Sequence, residues 1–144
     1  MSKTDEVQNA SKQFYAGLNR MASGERGALS DCWAHGPNVT TMHPIGGRQV
    51  GWNAVRDSFD QVAEAASDGK IELKDQRIQV AGEMAYEVGI EHGHFKMNGH
   101  PVSLEHRVTN IYQRDGGEWK LVHHHTDLSP AMLEVLGRQE SPAV

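Results

Sequence analysis

The spacing of apolar residues changes once along this chain, near Lys70, and that change restricts the folds open to it. On the N-terminal side, Val7, Ala10, Phe14, Leu18 and Met21 recur at steps of three and four, which holds them on one helix face. Thr4 is placed to cap that helix, Asp5 and Glu6 suit its first turn, and Ser23-Gly24 ends it. A short second helix is predicted from about Glu25 to Trp33, stopped by His35-Gly36-Pro37. Val39 to His43 has the character of a strand, closed by Pro44 and a Gly46-Gly47 turn. A third helix carries Trp52, Val55, Phe59, Val62, Ala63 and Ala66 on one side and closes at Ser67-Asp68-Gly69.

Beyond Lys70 the period is two. Ile71 and Leu73 share one parity whereas Ile78 and Val80 share the other, so a bulge or bend is expected near Asp75 and Gln76. Met84, Tyr86, Val88 and Ile90 alternate, with His92 and His94 continuing their face, while Ala85, Phe95 and Met97 on the opposite face need cover. Asn98-Gly99 turns the chain into a strand from about Val102 to Gln113, and Asp115-Gly116-Gly117 turns it again into Trp119 to Leu128. Ser129-Pro130 opens a short terminal helix, and the last residues are expected to be loose. Helices followed by a meander of long strands make an α+β plan. A strongly curved antiparallel sheet wrapped around three N-terminal helices gives a cone with a pocket inside, and Gly82, Gly89 and Gly93 permit the curvature.

At 144 residues the chain is one domain, 1–144, large enough for a core without staples. Fourteen basic against nineteen acidic residues give a net charge of −5, which argues against nucleic acid as a partner. The longest apolar run is three residues, so no membrane partner and no secretory segment are expected. The single Cys32 excludes an internal disulfide and fits a cytoplasmic protein. Nine histidines stand against that one cysteine, which directs attention to imidazole chemistry.

Arg107-x-Thr109-x-Ile111, Arg114, Gly117, Trp119 and the run Leu121-Val122-His123-His124-His125 resemble the closing strands of SnoaL-like proteins. These belong to the nuclear-transport-factor-2-like superfamily, which includes ketosteroid isomerase. Trp33, His43-Pro44-Ile45-Gly46 and Gly51 also fall where that superfamily has them, and the match runs over about residues 5–130. The association domain of calcium/calmodulin-dependent protein kinase II has similar closing strands. The resemblance implies the cone fold and a homodimer. It leaves function open, because this cone hosts isomerases, dehydratases and assembly modules alike.

In the isomerase the strand equivalent to Val39–His43 ends in a catalytic aspartate, so the resemblance makes His43 the candidate general base. The isomerase's oxyanion tyrosine aligns with Phe14 rather than Tyr15, and its protonated acid falls near Thr109 or Asn110, so steroid isomerisation is not implied. Arg107, charged and mid-strand, has three readings: a clamp on a ligand inside the cone, a partner for Glu105, or an outward group. His123, His125 and Asp127 share parity with Trp119 and Leu121, which makes His125 and Asp127 a candidate catalytic pair and His123 a ligand contact. The alternative is that these histidines serve the sheet or a dimer interface. Trp33, Phe59, Tyr86 and His94 are candidate pocket walls. His92-x-His94 faces one side, yet no zinc-type spacing accompanies it, so neither a metal nor a cofactor is assigned. The expected activity is a lyase or isomerase with a histidine base acting on a small polar carbonyl or hydroxy compound. The alternative is a non-catalytic ligand-binding or oligomerisation module.

Overall fold

The computed structural model describes residues 1–140; the expected loose tail lies largely outside them. Helix α1 (Lys3–Met21) starts two residues earlier than Thr4 would cap it. Ser2 is the cap: its hydroxyl accepts the Asp5 N–H and the Asp5 carboxylate accepts the Ser2 N–H, a reciprocal pair. Val7, Phe14, Tyr15, Leu18 and Met21 form the buried face.

The second helix expected over Glu25–Trp33 is a series of turns ending in a single 3-10 turn, Ser30–Cys32. Gly24 and Gly27 sit at φ +102° and +73°, which no right-handed helix accommodates. Side chains take up the freed backbone groups, with Gly27 N–H donating to Asp60 and Arg20 donating to the Ala28 carbonyl.

Strands β1 (Thr40–His43) and β2 (Gly46–Val50) follow, so Gly46-Gly47 opens a strand that periodicity had not revealed. Helix α2 (Trp52–Ala65) leads directly into β3 (Ala66–Ala81), and Ser67-Asp68-Gly69 lies inside that strand rather than ending the helix. Strands β4 (Met84–Met97), β5 (His100–Asp115) and β6 (Glu118–Thr126) complete a six-stranded sheet in the order β2-β1-β6-β5-β4-β3. All neighbours are antiparallel except β1 and β6, so the sheet is mixed. Helix α3 (Pro130–Glu140) starts where Ser129-Pro130 placed it and buries Met132 and Val135. Among the described residues no helix is long and apolar enough to cross a membrane.

The bend expected near Asp75 is present: Asp75 has φ +55° and the β3–β4 register shifts between Lys74 and Arg77. The inward face of β4 is the reverse of the expected one. Ala85, Glu87, Glu91, Phe95 and Met97 are buried, whereas Met84, Tyr86, His92 and His94 are exposed. Cross-strand pairing accounts for this, because residues paired across two strands share a face. Ala85, Glu87, Glu91 and Phe95 pair with Tyr112, Asn110, His106 and Val102 of β5, all buried. The residues that had seemed to need a partner are therefore covered within the chain.

The crowding of the inner face explains the strand glycines. A Cβ on Gly93 would fall on the Lys70 carbonyl oxygen, and one on Gly89 would stand 2.8 Å from that of Lys74. Both obstacles are backbone, which cannot move aside. Gly93→Ala is accordingly expected to destabilise the fold by about 3 kcal/mol, checked by urea denaturation. Gly82 is in a turn and contributes no such contact.

Candidate functional site

Four adjacent strands each deliver one polar side chain to a single cavity: His43 from β1, His124 from β6, His106 from β5 and Glu91 from β4. Leu18, Ile45, Phe59, Phe95, Leu104 and Met132 supply much of the apolar wall. Its volume is about 50 Å³, room for roughly four water-sized groups.

His43 is buried edge-on to Phe59, their ring centres 4.8 Å apart. The Ser58 hydroxyl donates to the Val55 carbonyl at 2.6 Å, so it accepts from His43 Nε2–H at 2.8 Å, and Nδ1 keeps a lone pair. Burial, helped by the neighbouring His124 and partly opposed by Glu91, lowers the His43 pKa to about 4.

Glu91 accepts from Tyr15 O–H at 2.8 Å and from His106 Nε2 at 2.7 Å. Burial alone would raise its pKa, but the His106 hydrogen bond, the nearby imidazoles and the Tyr15 hydroxyl outweigh it and hold the carboxyl below its ordinary range. The Tyr15 hydroxyl in turn moves well upward, through burial first and the Glu91 charge second. His106 Nδ1 is shielded from solvent and has no partner among the described residues. A carboxylate acceptor fixes the His106 proton on Nε2, which leaves a lone pair on that orphaned Nδ1. His124 places Nδ1 2.6 Å from Asn110 Oδ1, and burial lowers its pKa. Among the described residues no three His, Cys, Asp or Glu side chains are arranged to hold a metal ion.

Of the residues singled out in the sequence, His43 and Phe59 line this cavity. Trp33 is buried behind it, its ring centre 5.9 Å from that of Phe59. Tyr86 and His94 lie on the outer face of β4 and are exposed. Arg107 also points outward, its side chain 81% exposed, and its partner is Asp127 rather than Glu105. The two make a double contact at 2.8 and 3.0 Å, and these hydrogen bonds lower the Asp127 pKa to about 2.

His123, His125 and Asp127 are outside for a different reason. Ile111 pairs with His123 but Tyr112 pairs with Leu121, so Val122 is an extra residue in β6. That bulge turns the strand over: Trp119 and Leu121 point inward before it, His124 and Thr126 after it. His125 is exposed and His123 bonds Thr40 on the outer surface at 2.7 Å.

Sequence reasoning thus missed Glu91, His106 and His124. His106 had a legible signal, because Val102, Leu104, His106, Val108, Asn110 and Tyr112 alternate and are all buried. His124 had none, since nothing in Leu121-Val122-His123 marks a bulge.

The family model of the SnoaL-like domain matches residues 7–132. No curated protein matches. Among solved structures, a provisionally assigned dehydratase of the NTF2-like family from Streptomyces avermitilis is similar at 22% identity and TM-score 0.76, covering 89% of this chain and 97% of that one. A provisionally assigned ketosteroid isomerase from Shewanella frigidimarina is similar at 18% identity and TM-score 0.68, covering 85% and 94%. The S. rosetta CaMKII hub is similar at 25% identity and TM-score 0.67, with the same 85% and 94% covered. Its fold is shared with a structure assigned to the NTF2-like family, and with the family match spanning most of its length the chain belongs to the SnoaL-like family.

Proposed function

We propose that the chain is a cofactor-independent lyase or isomerase that moves a proton within a small, neutral carbonyl or hydroxy compound. The observation that carries this reading is the Glu91 carboxylate 2.7 Å from His106 in a mostly apolar cavity. A carboxylate in that position orients the imidazole and stabilises the imidazolium formed when Nδ1 takes a proton. His106 is therefore the base in this proposal. His43, which the sequence favoured for that role, bonds a hydroxyl and no carboxylate, and its pKa of about 4 keeps it neutral. It is assigned to hold the substrate opposite His106. Among the described residues neither Lys nor Arg lines the cavity, which favours a neutral ligand over an anionic one.

In a dehydration, His106 Nδ1 removes a proton from the carbon beside a carbonyl, and the freed electron pair forms the C=C bond as the C–O bond breaks and its pair leaves with the β-hydroxyl. The proton on His106 passes to that oxygen and completes the water molecule. In an isomerisation the proton returns to a different carbon. The dehydratase and isomerase assigned to the S. avermitilis and S. frigidimarina neighbours support this class.

The assembly module is the second reading, supported by the likeness to the CaMKII hub and by Met84 and Tyr86, 42% and 49% exposed on the outer sheet face. Its partner is a second copy of the chain joined through that face.

Small hydroxy ketones incubated with the protein in D2O and followed by proton NMR separate the two. Wild type should show C–H exchange or loss of water. His106→Gln should slow it at least about 100-fold and His43→Gln about tenfold. Equal rates in His106→Gln would overturn the assignment of the base, and no turnover of any compound would favour the assembly module.

A further inference from the structure

Glu87 is wholly enclosed, lies outside the cavity and takes no part in the chemistry above. Its carboxylate accepts three bonds, from Gln76 Nε2 at 2.6 Å, Tyr112 O–H at 2.9 Å and Asn110 Nδ2 at 2.9 Å. Asn110 is also fully buried, and its Nδ2 has a second acceptor in the Tyr15 hydroxyl at 3.2 Å.

An amide donates only from nitrogen, so a carboxylate acceptor decides which way the amide faces. With Nδ2 turned to Glu87, Oδ1 meets His124 Nδ1 at 2.6 Å and can only accept. The His124 proton then sits on Nδ1. A neutral ring keeps a lone pair on Nε2, and burial favours the neutral ring.

The same result holds at all three imidazoles of the cavity. His43 gives its N–H to Ser58, His106 to Glu91 and His124 to Asn110. The nitrogens left over, Nδ1 of His43, Nδ1 of His106 and Nε2 of His124, carry lone pairs. None of the three rings has a second N–H to offer, so from the imidazoles a ligand in this cavity can meet acceptors only.

We infer that Glu87 and Asn110 are positioning residues that lock His124 as the Nδ1–H tautomer, and that the cavity thereby selects neutral compounds presenting hydroxyl donors over ketones that only accept. This deepens the proposed function, on which it rests for the assignment of the cavity to substrate. A hydroxyl reaching His124 or His43 satisfies a buried lone pair; a carbonyl placed there leaves both partners unsatisfied.

Nitrogen-15 NMR of the histidine rings at pH 7.5 tests the relay without any substrate. Wild type should show His124 protonated on Nδ1 with a bare Nε2. Glu87→Gln, which still offers an oxygen to Asn110, should keep that signature, whereas Glu87→Leu frees the amide to turn and should shift His124 toward the Nε2–H form. A wild-type His124 protonated on Nε2 would overturn the relay, and so would an unchanged tautomer in folded Glu87→Leu. Should Glu87→Leu not fold, the wild-type and Glu87→Gln spectra still decide.

2-Propanol and acetone, matched in size and each of four non-hydrogen atoms, test selection by ligand-observed NMR. The alcohol should bind roughly tenfold more tightly, the scale of one buried hydrogen bond. Equal or reversed preference, or no binding of either, would overturn the selectivity. The expected tautomers combined with no turnover of any compound would leave the relay standing and reject the catalytic reading.

Discussion

Between pH 6.5 and pH 4 the protein should lose roughly 3 kcal/mol of stability through His43 alone. The imidazole's pKa falls from 6.5 in the unfolded chain to about 4 in the fold, and each pH unit is worth about 1.36 kcal/mol. The folded pKa is the lower of the two, so the unfolded state binds the proton first. Stability is complete above 6.5, declines as acid is added, and levels below about 4 as far as this group is concerned. His124 is lowered by burial too and acts in the same direction. Glu91, also held below its ordinary value, extends the loss beneath about pH 4.5. Urea denaturation at pH 7.5, 6, 5 and 4 measures the decline. His43→Gln, whose amide still donates to Ser58 but does not titrate, should flatten the profile by about the same 3 kcal/mol. An identical profile in the variant would assign the acid sensitivity elsewhere.

Replacing Glu91 should separate stability from activity. Glu91→Leu removes a buried carboxylate and leaves the Tyr15 O–H and His106 Nε2–H without acceptors. Each orphaned donor costs about 1–3 kcal/mol, offset by no longer burying a charge, for a net loss of about 2 kcal/mol. That corresponds to a fall of about 4–8 °C in thermal midpoint for a domain this size. Glu91→Gln should fold nearly as well, because its amide oxygen still serves one donor. Its amide nitrogen, facing His106, drives that ring's proton to Nδ1 and removes the lone pair that acts as base. Turnover should therefore fall on the order of 10³- to 10⁴-fold with little change in midpoint, the usual consequence of a wrong imidazole tautomer. A Glu91→Gln variant with wild-type turnover would reject the Glu91–His106 pair as the catalytic unit.

What was legible in the sequence follows what is local. The alternation in β5 is written into Val102-x-Leu104-x-His106, and the turn His43-Pro44-Ile45-Gly46 marks the end of β1. The bend at Asp75 was readable from the parity change it reconciles. Arg107 stands out as a charged residue in mid-strand, yet its parity is opposite to that of its apolar neighbours, in keeping with the outward one of its three readings. Glu87 and Glu91 were passed over for the mirror reason. Carboxylates alternating with Tyr86, Val88 and Ile90 look like the solvent face, and only hydrogen-bond partners from α1, β3 and β5 make the inner face tolerable for them.

By itself the sequence determined the period of the long segments, and hence the α+β order, the long strands, the bend in β3 and the placing of His43 at a strand end. Only the tertiary structure decided which strand face turned inward. The side-chain period of a strand is two, so one unpaired residue exchanges the faces of everything after it, as Val122 does for His123, His124 and His125. Pairing between β4 and β5 settled the other strand in the same way, by setting Glu91 against His106 and Glu87 against Asn110. Both depend on contacts between residues far apart in the chain, which no local pattern records.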